Sequence, residues 1–212
     1  MKTGIVMGLL VVLALTFSEA YAENVMITDR TGTVRITTPQ EDIEIVEGNE
    51  PLPVIEPGSL IEVFSGGLKV TLREGSLLLS AEDATATVNA GDEVSVIIDR
   101  GNKMADFKVD AGEVTVRSIN TMVVIKEGQE VQARWSELAG ASEIKSIKGN
   151  VEAFTVGVNL LIPEGAVVRI MTSSMANDVH VNVKKGNVTA TAVDGKVINI
   201  GEGRTVAIRG KV

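Results

Sequence analysis

One histidine and no cysteine occur in 212 residues, so the side chains on offer for chemistry are hydroxyls and carboxylates. A Cys/His nucleophile pair and a multi-histidine metal site cannot be built from this set. His180 alternates with Val179, Val181 and Val183, which turns it away from the core and into solvent. Ser173 and Ser174 lie in a polar turn without the flanking glycines of a nucleophile elbow. Adjacent carboxylates occur at Glu41-Asp42, Glu82-Asp83 and Asp92-Glu93. Neighbours on an extended chain point to opposite faces, so each pair is a poor ligand set and is expected to be a solvated turn. A hydrolytic site would need Glu41, Asp42, Glu82 and Asp83 to converge on one cleft. No residue is assigned a catalytic, cofactor-binding or metal-binding role, and no cofactor is expected.

One set of carboxylates is periodic. Glu47, Glu127, Glu164 and Glu202, with Ala90 in the remaining place, each precede a glycine at matching points of an internal repeat. If the repeats stack as coils, four of these five turns carry a carboxylate along one edge. Strands about 4.8 Å apart would then hold like charges that need water or a cation between them. The expectation is a solvated Glu-Gly turn, with a weak calcium ladder as the alternative. Aromatic platforms for sugar rings are scarce. Phe64, Phe107 and Phe154 lie in or beside apolar runs and are expected in the core, which leaves Trp135 as the credible exposed contact. That scarcity also counts against a membrane barrel, which needs aromatic girdles.

These residues are positioned by a repeat. Glycines open units at Gly32, Gly75, Gly112, Gly149 and Gly186, so the last three steps are 37 residues each, and matching glycines close at Gly48, Gly91, Gly128, Gly165 and Gly203. Two and four residues after each opening glycine stand apolar pairs, such as Val114/Val116 and Val151/Ala153. Five and three residues before each closing glycine stand Val123/Ile125, Leu160/Ile162 and their counterparts. Spacing by two puts both side chains of a pair on one strand face, and polar residues such as Thr115 lie between. A third strand follows each closing glycine from Gly91 onward, and a fourth precedes each opening one. The chain is therefore all-β, in units of four short strands rich in Val, Ile and Thr, joined by glycine turns. Its architecture is either solenoid-like or a two-sheet sandwich of the jelly-roll kind, because four strands per unit can coil or can pair as hairpins. One short helix is expected, from Trp135 to Ala141.

Residues 1–22 read as a targeting leader. Lys2 is followed by an apolar run from Ile5 to Phe17 and by Ala20-Tyr21-Ala22 as a small-residue cleavage site. Cleavage removes Lys2 and Glu19 together, so the net charge of −8 is retained by Glu23–Val212, which is read as one repeat domain. No later stretch reaches the ~20 apolar residues of a spanning helix, so no membrane span is expected after cleavage. An acidic chain with no basic run longer than Lys184-Lys185 excludes nucleic acid as the natural partner.

The first unit departs from the rest. Its extra residues fall in Asn49–Gly58, which contains Pro51, Pro53 and Pro57. Proline cannot donate to a ladder, so this is a loop or a sheet edge that caps the array or serves a partner. Strand pattern resumes at Ile61 and Val63. At the other end, the last strand, Val206 to Ile208, offers an edge to a partner or a second copy, unless it lies mid-sheet.

Two segments resemble the FecR-like domain family. Leu72-Arg73-Glu74-Gly75-Ser76-Leu77-Leu78-Leu79 is similar to the L-x-D-G-S core of that family, with Glu74 for the usual Asp. Phe107-Lys108-Val109-Asp110-Ala111-Gly112-Glu113-Val114-Thr115-Val116 is similar to its F-x-V-x-x-G-x-V-x-V segment. The family's Gly-Thr-x-Phe segment is replaced here by Asn120-Thr121-Met122-Val123. The resemblance implies an extracytoplasmic all-β domain. It does not carry over the family's transmembrane signalling role, because no spanning helix or cytoplasmic segment is recognised. The expectation is a non-enzymatic, periplasmic or secreted module of the cell envelope that binds a protein or polymer. Self-association through sheet edges is the alternative, and a signalling relay with a separate membrane partner is a weaker one.

Overall fold

The protein is described from a computed structural model that covers residues 24–48, 50–99, 104–118, 120–136, 140–173 and 178–209. The leader lies outside these residues, as do Asn49, Ser174 and the side chain of Trp135. All regular structure among them is β. A nine-stranded sheet runs, in hydrogen-bonded order, β1 (Val25–Thr31), β5 (Gly66–Leu72), β8 (Glu93–Asp99), β9 (Met104–Ala111), β12 (Glu130–Ser136), β13 (Ala141–Lys148), β16 (Val167–Ser173), β17 (Asp178–Lys185) and β20 (Thr205–Arg209). An eleven-stranded sheet runs β19 (Val197–Gly201), β18 (Asn187–Ala192), β15 (Val158–Ile162), β14 (Val151–Thr155), β11 (Thr121–Lys126), β10 (Glu113–Arg117), β7 (Ala84–Asn89), β6 (Ser76–Ala81), β4 (Leu60–Val63), β2 (Thr33–Thr37) and β3 (Ile43–Glu47).

The chain lays one hairpin in one sheet, crosses, and lays the next hairpin in the other. Each regular unit thereby adds two strands to both sheets. A coil would stack strands in parallel; here every pairing is antiparallel except β4 with β6. The two-sheet alternative is the one realised, and its register follows the alternation in the sequence. Val114 faces Ile125 and Val116 faces Val123 across β10 and β11, with all four buried, while Thr115 faces Val124 on the outside. One continuous apolar cluster, from Val25 to Ile208, lies between the sheets. Small residues thin the core in places, as where Ala86 meets Val116 and Ala133 meets Ala105.

At its described ends the span Trp135–Ala141, expected as a helix, is strand and not helix: Trp135 and Ser136 close β12 and pair with Ser142 and Ala141 of β13, and residues 137–139 lie outside the described residues. Tertiary pairing on both flanks overrides a weak local helical preference.

Unit one is inverted. Because β4 is parallel to β6 and β2 antiparallel to β4, β2 runs against the leading strands of the later units. The crossings at Gly75, Gly91, Gly112, Gly128, Gly149, Gly165, Gly186 and Gly203 share one end of the molecule, the crossover end, and Gly32 and Gly48 lie at the opposite end. The proline-rich segment is the return pass this reversal requires. It leaves β3 at Gly48, where the Arg30 guanidinium donates to the Glu50 carbonyl, and descends to Gly58, whose N–H donates to the Ser76 carbonyl at 2.6 Å. Leu52 and Ile55 pack on the core along the way. The segment is a strap over the first end of the sandwich.

Candidate functional site

The periodic glutamates are placed by the crossings. Glu164 Oε2 accepts the Gly149 N–H at 2.8 Å, and Glu202 Oε2 accepts the Gly186 N–H at 3.0 Å. Each carboxylate thus ties the closing turn of its unit to the opening glycine. In unit two, where Ala90 occupies that position, the tie comes from two residues later. Asp92, 5% exposed, takes the Asn89 N–H on Oδ2 at 2.7 Å and the Glu113 N–H on Oδ1 at 3.1 Å. Unit three uses Gln129, which accepts from Lys126 N–H at 2.8 Å and donates to the Asn150 carbonyl. These acceptors hold crossings whose glycines have positive φ, such as Gly112 at 84°. Asp92, expected to be a solvated turn residue, is instead a buried turn lock. The signal for it was the missing glutamate at Ala90.

Two parts of the one-edge carboxylate row are corrected by the topology. Glu47 sits at the opposite end from Glu127, Glu164 and Glu202, because unit one is inverted. Successive crossings are separated by two strands, about 10 Å rather than one spacing, which relieves the expected repulsion. Among the described residues, no three His, Asp or Glu side chains form a group that could hold a metal ion. The four carboxylates of the hydrolytic alternative do not converge. The β2–β3 turn with Glu41 and Asp42 lies at the crossover end, and the β6–β7 turn with Glu82 and Asp83 lies at the other.

The two outer faces differ in character. The nine-stranded sheet carries ion pairs. Lys69 binds Glu93 and Asp110, and Lys108 reaches Asp110 at 2.5 Å. The two ammonium groups hold the Asp110 carboxyl below its ordinary range, and Lys69 is raised in turn. Glu143 links three strands, meeting Arg134 at 3.2 Å and Lys184 at 2.5 Å. Burial pushes its carboxyl up, and Lys184 with Arg134 outweighs that, leaving it below the ordinary range. A concavity of about 490 Å³ opens beside Lys69 and Lys108, where Gly66 and Gly67 leave room next to Ile97 and Asp106. Asp106 is raised, chiefly by burial, despite a hydrogen bond from Gln132, and its Oδ1 is buried with no partner among the described residues. His180 lies on this face, half-buried, opposite Met171 and Ala207.

The eleven-stranded sheet carries two ion pairs, Arg35 with Glu62 and Lys126 with Glu152, among mostly uncharged outward residues. Thr87 and Thr115 face each other, as do Thr189 and Asn199, beside exposed Leu78 and Leu161. Two of the three phenylalanines belong here and not to the core. Phe154 is half-buried on the outer face, and Phe64, 43% exposed, lies under the Arg35 guanidinium at 5.3 Å. Only Phe107 is fully buried. The phenylalanines at strand ends and outward registers were indistinguishable from core by composition alone.

The sheet ends are unequal. At the first end, β1 carries a bulge between Thr28 and Thr31 with Asp29 at φ 52°. There β3 sets Glu44 at a core-facing register, opposite buried Ile36, and the proline strap lies across the end. Bulges, inward charges and covering segments are the usual guards of a sheet edge. At the last end, β20 pairs with β17 alone and β19 with β18 alone. The chain's final strand is therefore an edge strand, as one of the two expectations held.

The chain matches no protein family and no curated protein. Among solved structures it is similar to a mutant of the TCP10 domain of Danio rerio CPAP, at 15% identity over 83% of this chain and 99% of that one. The TM-score is 0.16, a level at which the likeness has no bearing on fold or function.

Proposed function

We propose that this protein is an exported, non-enzymatic binding or scaffolding module of the cell envelope, FecR-like in kind, that engages a protein or polymer partner through its sheet edges. The carrying observation is the pair of edge strands β19 and β20, which offer unpaired backbone groups at one end while the other end is strapped and charged. Strand addition is a general mode of recognition, with main-chain hydrogen bonds giving affinity. The Lys2 to Ala22 leader supports export, and the Gly75 and Gly112 segments support the family resemblance. The four carboxylates that a hydrolase would need, Glu41, Asp42, Glu82 and Asp83, lie in turns at opposite ends of the strands.

Amide exchange on Thr205–Arg209 tests the edge. In dilute isolated protein the alternate amides that face away from β17 exchange fast, and a bound partner slows them. Strong protection of the whole strand in the isolated monomer would overturn the reading. Export is tested separately: protein from the native host should begin at Glu23, and a chain that retains Met1 removes the secreted assignment.

A further inference from the structure

The open end carries more than an unpaired backbone. Strand β19 reads Val-Ile-Asn-Ile-Gly and contains no charge, and β20 has its only charge at Arg209. Neither strand contains proline, and neither pairing shows a register shift. Among the described residues, this end shows no bulge, no inward charge and no covering segment like those of the first end. The core is also left unfinished. Core-facing positions in the middle of the molecule, such as Leu160 and Val181, are fully buried, whereas Ile198 and Val206 remain half-exposed.

Resting on the edge-binding reading above, we infer that the partner for this end is a second copy of the same chain, joined by antiparallel pairing of β19 with β19 and of β20 with β20. A two-fold axis normal to the sheets reverses strand direction while keeping each sheet in its layer, so both sheets continue across the junction and Ile198 and Val206 gain cover. The strands are self-complementary in this arrangement. Pairing β19 about Asn199 sets Ile198 opposite Ile200, and pairing β20 about Ala207 sets Val206 opposite Ile208. A head-to-tail arrangement meets the strap, the bulge in β1 and the inward Glu44 instead. The contact is therefore isologous and closes at two copies.

Asn199 and Ala207 are exposed and face outward, so both can be changed without entering the core. In the full mature chain, sedimentation at rising concentration should show monomer passing to dimer and no larger species. Asn199→Lys with Ala207→Lys sets like charges across the axis and should weaken dimerisation about ten-fold or more, with the circular dichroism and melting curve of the monomer unchanged. Mixing this variant with Asn199→Asp/Ala207→Asp should restore a heterodimer, which a general loss of folding could not do. A chain that stays monomeric, with β19 and β20 amides still in fast exchange, overturns the second copy and leaves the edge-binding reading standing. Protected edges in the monomer sink both. Growth into an open series of species, or dimers indifferent to the lysines, overturns the two-fold junction.

Discussion

At the scale of single residues, faces and locks decide the outcome. Val116 is 1% exposed and Thr115 stands outside it on the same strand. Val116→Ala should cost about 1–3 kcal/mol and Thr115→Ala within about 0.5 kcal/mol, read by urea unfolding. Equal effects would mean the face of β10 is reversed. Asp92→Ala removes a buried carboxylate that accepts two backbone N–H groups in a part-buried turn and should cost about 1 kcal/mol or more in the same assay. Gly112→Ala should do at least as much harm, since a Cβ there would lie 2.0 Å from Asp92 Oδ1 on a backbone with φ 84°. Two carboxylates give opposite pH slopes. Glu143 is lowered in the folded state, so its contribution is present above the ordinary carboxylate range and is lost as pH falls through its folded value. Glu143→Gln should therefore lower the melting temperature at pH 7 and not at strongly acid pH. Asp106 is raised, so its ionisation opposes folding as pH rises through that range. Asp106→Asn should raise the melting temperature at pH 7, a gain that disappears in acid.

At the scale of elements, the strap explains why unit one is longer than the rest. Inverting β2 and β3 puts Gly48 at the wrong end for the next crossing, and an extended return pass is the shortest remedy. Its prolines suit a segment that makes few ladder hydrogen bonds, and Pro57 packs where a Cβ on Gly75 would lie, at 2.6 Å. Leu52 and Ile55 are its only anchors on the apolar cluster among the described residues. Replacing both with serine should free the strap, lower stability and bring concentration-dependent aggregation through the uncovered first end. Light scattering checks this, and a soluble variant of unchanged stability would show that the strap is not a cap.

At the scale of the whole molecule, stability is distributed as in other repeat arrays, because each unit contacts mainly its neighbours. Strands β10 to β13 are paired on both sides, while β19 and β20 are paired on one. Amide exchange should therefore be slowest in the middle and should quicken toward the last end in dilute protein. A uniform profile would indicate a single cooperative block in which edge position carries no weight.

The sequence by itself determined the elements. Alternation of Val and Ile with Thr, and glycines at a fixed step, are local signals: a strand's buried face has period two and a tight crossing needs positive φ. Those constraints act within a few residues, so Val114, Val116, Val123 and Ile125 were legible as core before any fold was known. What only the tertiary structure decided was long-range. Hairpin pairing in place of coiling, the inversion of unit one and the separation of Glu47 from Glu127, Glu164 and Glu202 depend on which strand lies beside which. That is settled by closing a shared core between two sheets, and strands with the same period can satisfy it in several orders. Asp92 shows the same division in one side chain. Its position after Gly91 marks a turn, but its burial follows from the neighbouring crossing at Gly112, whose missing Cβ leaves the space that the carboxylate fills.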